Sequence, residues 1–173
     1  MDFSNIKAFA FDVDGVLTDG GIYAVNGDLL RCFDAKDSFA LRMASMAGYT
    51  LGIITGGQSE TITQRMVHCG VPEENVYLLC REKIEQFRDF CEKNALEASQ
   101  VMYFGDDLPD IPVMEACGIA VCPSDAADEV KEVADIVSAY PGGHWCVRKA
   151  IEEVMKAHGK WHLDVKLYKE VYK

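Results

Sequence analysis

Short apolar runs bounded by turn residues recur along the chain, at 7–13 (KAFAFDV), 50–55 (TLGIIT), 76–79 (VYLL), 101–105 (VMYFG), 118–121 (GIAV) and 135–138 (DIVS). Near-continuous hydrophobicity over such short lengths suits strands buried on both faces, as in a parallel sheet. Between them, 37–47, 59–69, 83–94, 108–117 and 125–134 carry apolar residues at helical spacing. Strand and helix alternate, which predicts an α/β fold: a three-layer, Rossmann-like parallel sheet with helices on both faces.

One segment breaks the alternation. Residues 21–33 (GIYAVNGDLLRCF) hold two extended runs around Asn26-Gly27-Asp28. Asparagine and glycine tolerate the positive φ of a tight turn, so a β-hairpin insert is expected after the first strand. Residues 144–158 read as a last helix, beyond Pro141-Gly142-Gly143. Residues 159–173 form a C-terminal extension that alternates apolar and charged residues well enough to dock on something. A single domain over 1–158 is the expected organisation, since 173 residues can bury one substantial core.

Composition narrows the function. A formal charge of -11 argues against general affinity for nucleic acid, which needs a basic surface to release counterions. It leaves a phosphorylated small molecule open, because a metal and local groups can reverse the field inside a pocket. The apolar runs are far shorter than the ~20 residues of a membrane span, and no basic-then-apolar signal pattern opens the chain. A cytoplasmic location is the expectation. The seven cysteines are scattered with no C-x-x-C pair, which fits buried thiols in a reducing compartment.

Candidate chemistry gathers at the strand ends. In an open parallel sheet, ligands bind outside the carboxyl ends of the strands. The first strand ends in Asp12 and Asp14, the second in Thr55-Gly56, and the fourth in GDDLPD (105–110), while Lys83 opens the helix after the third. If Asp12, Asp14, Asp106 and Asp107 meet there, each carboxylate pair at ~4 Å repels by roughly 1 kcal/mol in water and ~4 kcal/mol at an effective dielectric of 20. Several such pairs rival the whole stability of a domain, about 5–15 kcal/mol. A cation among them, or protonation of some, is required. Oxygen ligands without His or Cys favour Mg²⁺.

Roles follow from type and spacing. Residues i and i+2 leave an extended strand on one face, so Asp12 and Asp14 can both reach one bound group. An ionised Asp12 can attack phosphorus without a base to activate it, and Asp14 can then protonate the leaving alcohol and later deprotonate the hydrolytic water. The Thr55 hydroxyl and Gly56 amide can bind phosphoryl oxygens, and Lys83 can neutralise nucleophile and phosphate. Gly15 reads as the turn that releases the chain toward the hairpin.

These residues resemble the four motifs of the haloacid dehalogenase superfamily of phosphotransferases: DVDG (12–15), IITGG (53–57), Lys83 and GDDLPD (105–110), in the family's order over most of residues 7–140. Neither interval where that superfamily inserts a cap domain is long enough here, so the resemblance is to capless members, whose open site needs a large substrate or a lid from another subunit. DVDGVLTDG, GDDLPDIPVM and GGHWCVRK (142–149) further resemble the capless tetramers that hydrolyse 3-deoxy-D-manno-octulosonate 8-phosphate in lipopolysaccharide synthesis. That resemblance implies a phosphorylated sugar acid as substrate and a homotetramer. In it the hairpin, and the C-terminal tail with it, would complete a neighbouring active site. Related capless enzymes act on nine-carbon 2-keto acid 9-phosphates. Gly57, Ser38 and the HWC stretch depart from the pattern near the sugar. Arg65 and Arg148 are candidates for the substrate carboxylate, since guanidinium binds carboxylate bidentately. A receiver-like phosphoacceptor module is the reading from another class; there the acidic pair precedes a separate acceptor on a later strand, whereas here a DxD opens the set.

Overall fold

The structure, a computed structural model, describes residues 1–26 and 28–172. From the N-terminus, β1 (Ala8–Phe11) leads to a hairpin of β2 (Tyr23–Val25) and β3 (Asp28–Leu30), then α1 (Ala35–Met46), β4 (Thr50–Ile54), α2 (Glu60–His68), β5 (Val76–Tyr77) and α3 (Lys83–Lys93). The chain continues through β6 (Val101–Phe104), α4 (Ile111–Met114), β7 (Ile119–Cys122), α5 (Asp128–Val133), β8 (Ile136–Val137), α6 (Cys146–Ala157) and α7 (Val165–Val171).

Six strands pair in parallel in the order β5-β4-β1-β6-β7-β8, as the apolar runs predict. Alternation along each strand divides the core between the two faces. Phe9, Phe11, Leu51, Ile53, Met102 and Phe104 pack against α1, α2 and α6, while Ala8, Ala10, Ile54, Val101 and Tyr103 pack against α3, α4 and α5. Fully burying a phenylalanine such as Phe9 or Phe11 stabilises the fold by roughly 1.5–3 kcal/mol. Two capping side chains set the helices around the site. Asp34 accepts the N–H groups of Lys36 and Asp37 to start α1, and Ser59 accepts that of Thr61 to start α2.

The hairpin forms as expected, with Tyr23 opposite Leu30 and Ala24 opposite Leu29, and a bridge between Thr18 and Phe33 closes its base. Asn26 takes a left-handed φ of 50°, and the turn's Gly27 lies outside the described residues. The expected helix over 108–117 is instead a 3-10 turn, Leu108–Asp110, running into the single turn of α4. Pro112 has no N–H to donate at the fifth position of a helix begun at Leu108, and the ladder breaks there. The 159–173 segment supplies α7, which docks on the chain's own α1: Tyr168 packs edge-on against Phe39 and its hydroxyl accepts a bond from Arg42 at 3.2 Å. No helix among the described residues is long and apolar enough to cross a membrane.

After β1 the chain builds one side of the sheet through β4 and β5, then crosses to build the other through β6, β7 and β8. The crevice at that switch point, outside the ends of β1 and β6, is where an open α/β sheet binds its ligand.

Candidate active site

A cavity of about 550 Å³ opens at the switch point, lined by Asp12, Asp14, Thr55, Gly56, Lys83, Asp106 and Asp107 among others. Asp12 extends the ladder of β1, its N–H donating to the Phe104 carbonyl at 2.9 Å, so its position is fixed by the sheet. Thr55 directly follows β4, and its Oγ1 accepts the Gly57 N–H at 3.1 Å. Gly15 has a φ of +88°, and a Cβ on it would lie 2.0 Å from Asp106 Oδ2. Close approach of the two acidic loops therefore requires this glycine, beyond the turn read from the sequence. The Gly143 N–H donates to the Val16 carbonyl at 2.9 Å and braces the same loop from behind.

Lys83, the first residue of α3, is 5% exposed and stands between two carboxylates. Its Nζ lies 2.9 Å from Asp12 Oδ2 and 2.7 Å from Asp110 Oδ1. Burial works against its charge, but Asp12 and Asp110 outweigh burial and hold the ammonium above the ordinary lysine value. Asp110 is fully buried and was not singled out in the sequence. It also accepts the Tyr103 hydroxyl at 2.6 Å and the N–H groups of Asp106 and Asp107 at 3.2 and 3.3 Å. One side chain thus shapes the acidic loop and aims the lysine. Its place inside GDDLPD, three residues beyond the acidic pair, was the available signal.

Arg31 is the second residue that the sequence did not announce. It leaves the hairpin just after β3, and its side chain, 3% exposed, forks the Asp14 carboxylate through Nε at 2.6 Å and Nη2 at 2.9 Å. Such a bidentate pair fixes orientation as well as position. Arg65 and Arg148 do not line the cavity. Arg65 donates to the Ser38 hydroxyl at 2.8 Å, and Arg148 stacks over Trp161 and pairs with Glu152 on its own helix.

The remaining carboxylates point to a cation. Asp12 Oδ1 and Asp106 Oδ1 are buried without any hydrogen-bond partner. One oxygen each of Asp12, Asp106 and Asp110 lies within 4.8 Å of the others. Burial, with Asp110 beside it and Lys83 opposing, pushes the Asp12 carboxyl up to about 6. Burial, with Asp12 and Asp110 nearby, pushes Asp106 up to about 8. Two unsatisfied buried oxygens in an all-oxygen donor set fit a hard divalent ion. Asp12 and Asp106 have the bare oxygens to hold it; Asp110 is engaged by Lys83 and Tyr103, Asp14 by Arg31, and Asp107 caps the Leu108 N–H at 2.8 Å.

Sheet order, missing cap and the ring of Asp12, Thr55, Lys83 and Asp106 define the haloacid dehalogenase class, and the profile of haloacid dehalogenase-like hydrolases matches residues 81–142. The chain is 36% identical over 157 residues to the 3-deoxy-D-manno-octulosonate 8-phosphate phosphatase KdsC of Escherichia coli (strain K12), covering 90% of this chain and 82% of that one. The cobalt-bound deoxy-D-mannose-octulosonate 8-phosphate phosphatase of Haemophilus influenzae superposes with a TM-score of 0.89 at 30% identity, covering 98% of this chain and 97% of that one. The 3-deoxy-D-manno-octulosonate 8-phosphate phosphatase of Moraxella catarrhalis, in complex with a magnesium ion, a phosphate ion and KDO, superposes with a TM-score of 0.87 at 27% identity, covering 99% and 95%. The chain belongs to this family of capless haloacid dehalogenase-like phosphatases.

Proposed function

We propose that the protein is a Mg²⁺-dependent phosphomonoesterase that acts through a phosphorylated Asp12 and hydrolyses 3-deoxy-D-manno-octulosonate 8-phosphate to the free sugar acid and phosphate. The observation that carries this reading is the bare Asp12 Oδ1 at the end of β1, with Lys83, Thr55 and Asp106 around the same cavity. Its relatives' substrate and the magnesium, phosphate and sugar acid of the Moraxella catarrhalis complex support the substrate and the metal.

Asp12 attacks phosphorus, forming the Asp12–phosphorus bond as the bond to the substrate oxygen breaks. The leaving oxygen takes a proton from Asp14. Water then attacks the aspartyl phosphate, gives its proton to Asp14, and Asp12 leaves as a carboxylate with inorganic phosphate as product. Thr55 Oγ1 and the Gly56 amide orient the phosphoryl oxygens, Lys83 offsets charge on nucleophile and phosphoryl group, and Arg31 orients Asp14. Mg²⁺, held by Asp12 and Asp106, would supply charge neutralisation for the transferring phosphoryl group. Phosphate release measured across this 8-phosphate, nine-carbon 9-phosphates, hexose phosphates and nucleotides tests the substrate; a preference for hexose phosphates or nucleotides would overturn it.

The acidic pair also makes metal binding visible without catalysis. A carboxyl raised to about 8 in the fold contributes stability that is present at low pH and lost as pH rises through that value. Metal-free protein is therefore expected to lose stability between about pH 4 and 8, and Mg²⁺ to restore it by replacing the proton. The Mg²⁺-induced rise in Tm should be several-fold larger at pH 8.5 than at pH 5.5; an equal rise at both would contradict the assignment of Asp106.

We further propose a cytoplasmic homotetramer in which hairpins pack together and cover neighbouring sites. Ile22, Tyr23, Val25, Leu29 and Leu30 are all exposed, with Tyr23 at 59%, and Ile22 and Leu29 also line the cavity. A hairpin this apolar is poorly suited to water. The seven cysteines are all free, as a reducing compartment keeps them. Light scattering should give four chains per particle, and Leu30→Asp should dissociate them and lower activity; a fully active monomer would contradict this.

A further inference from the structure

Three cations line the cavity, and two of them are matched to carboxylates of this chain: Arg31 to Asp14, and Lys83 to Asp12 and Asp110. Arg81 is different. It is exposed, it has no carboxylate partner among the described residues, and its one polar contact is a long bond from Nη1 to the Gly56 carbonyl at 3.4 Å. The backbone brings it there through Leu79, whose φ of +56° is a conformation that a leucine adopts at a cost of about 1–2 kcal/mol. Strain of this kind at a cleft mouth is commonly tied to function.

The glycine pair lies between the two arginines. A Cβ on Gly56 would sit 3.6 Å from Arg81 Nη1, and a Cβ on Gly57 would sit 3.1 Å from Arg31 Nη2. Two guanidinium groups therefore flank one backbone step that carries no side chain. Asp12, Thr55 and Lys83, the side chains proposed to meet the phosphoryl group, are all buried, whereas Arg81 lines the same cavity and is exposed.

We propose that Arg81, across the Gly56-Gly57 step from Arg31, binds a carboxylate of the substrate and so selects phosphomonoesters that are also acids. This rests on the phosphomonoesterase reading and gives acid recognition to a guanidinium that lines this chain's own cavity, as Arg65 and Arg148 do not. An unmatched guanidinium offers two parallel N–H donors to a carboxylate, a fork that an ammonium cannot reproduce.

The test compares kcat/KM for 3-deoxy-D-manno-octulosonate 8-phosphate and for its methyl ester, which lacks the carboxylate charge, in wild type, Arg81→Ala and Arg81→Lys. The acid-to-ester ratio should fall roughly ten- to hundredfold in Arg81→Ala and by less in Arg81→Lys. An unchanged ratio, or equal losses on both substrates, would overturn the proposal, because Arg81 would then serve the phosphoryl group or the loop. A wild type that releases no phosphate even from p-nitrophenyl phosphate would sink the phosphatase reading instead. In that event calorimetric binding of the phosphate-free sugar acid still decides: about tenfold weaker binding to Arg81→Ala supports the proposal, and equal affinity overturns it.

Discussion

Asp12→Asn is expected to lower kcat at least about a thousandfold while leaving the fold in place. The amide is nearly isosteric but lacks the ionised oxygen that attacks phosphorus, and losses of a nucleophile are commonly far larger than those of a positioning group. The fold should survive because Asp12 is held by its backbone N–H to Phe104, and Lys83 keeps Asp110 as a partner. Removing a carboxylate that burial pushes up to about 6 also relieves repulsion in the metal-free protein, so Tm at pH 8 should not fall. The same variant should lose most of the Mg²⁺-induced rise in Tm. Full turnover by Asp12→Asn would remove the basis of the mechanism.

Lys83→Met should be the most destabilising change in the site. It leaves Asp12 and Asp110 buried together without their cation, and breaking a buried pair from one side costs about 3–5 kcal/mol. For a chain of this size each kcal/mol shifts Tm by about 2–4 °C, so a fall of roughly 6–20 °C is expected in chelator. The loss should be greater at pH 8 than at pH 5, because the Asp12 carboxyl, which burial pushes up to about 6, stabilises the fold only while protonated. Adding Asp110→Asn removes one of the stranded charges and should recover part of the stability but no activity. A double variant as unstable as Lys83→Met, measured by denaturant unfolding, would mean that Asp110 is not the lysine's structural partner.

The sheet and the ring of Asp12, Asp14, Thr55, Lys83, Asp106 and Asp107 were legible from a one-dimensional pattern. Burial on both faces writes itself as short apolar runs, and parallel pairing brings the residues after those runs to one edge. What could not be read depends on where side chains travel. Arg31 reaches Asp14 from 17 residues away, across a hairpin whose exit angle no local pattern encodes. Asp110 sits beside the acidic pair, yet its role comes from Tyr103 and Lys83, which meet it only in the folded core. Arg65 and Arg148 were singled out by chemistry alone, and their helices carry them to Ser38 and to Trp161. The break at 108–117 was open to sequence reading, since Pro112 stands where a helix begun at Leu108 needs a donor.

The central claim is that the phosphoryl group passes through Asp12 on its way to water, and the stereochemical course at phosphorus tests it most directly. Each in-line displacement inverts phosphorus, so transfer to Asp12 followed by transfer to water must end with net retention. Hydrolysis of a substrate with an isotopically chiral phosphoryl group should return inorganic phosphate of retained configuration. Inverted phosphate would mean that water attacks the substrate directly, and Asp12 would then have no covalent role.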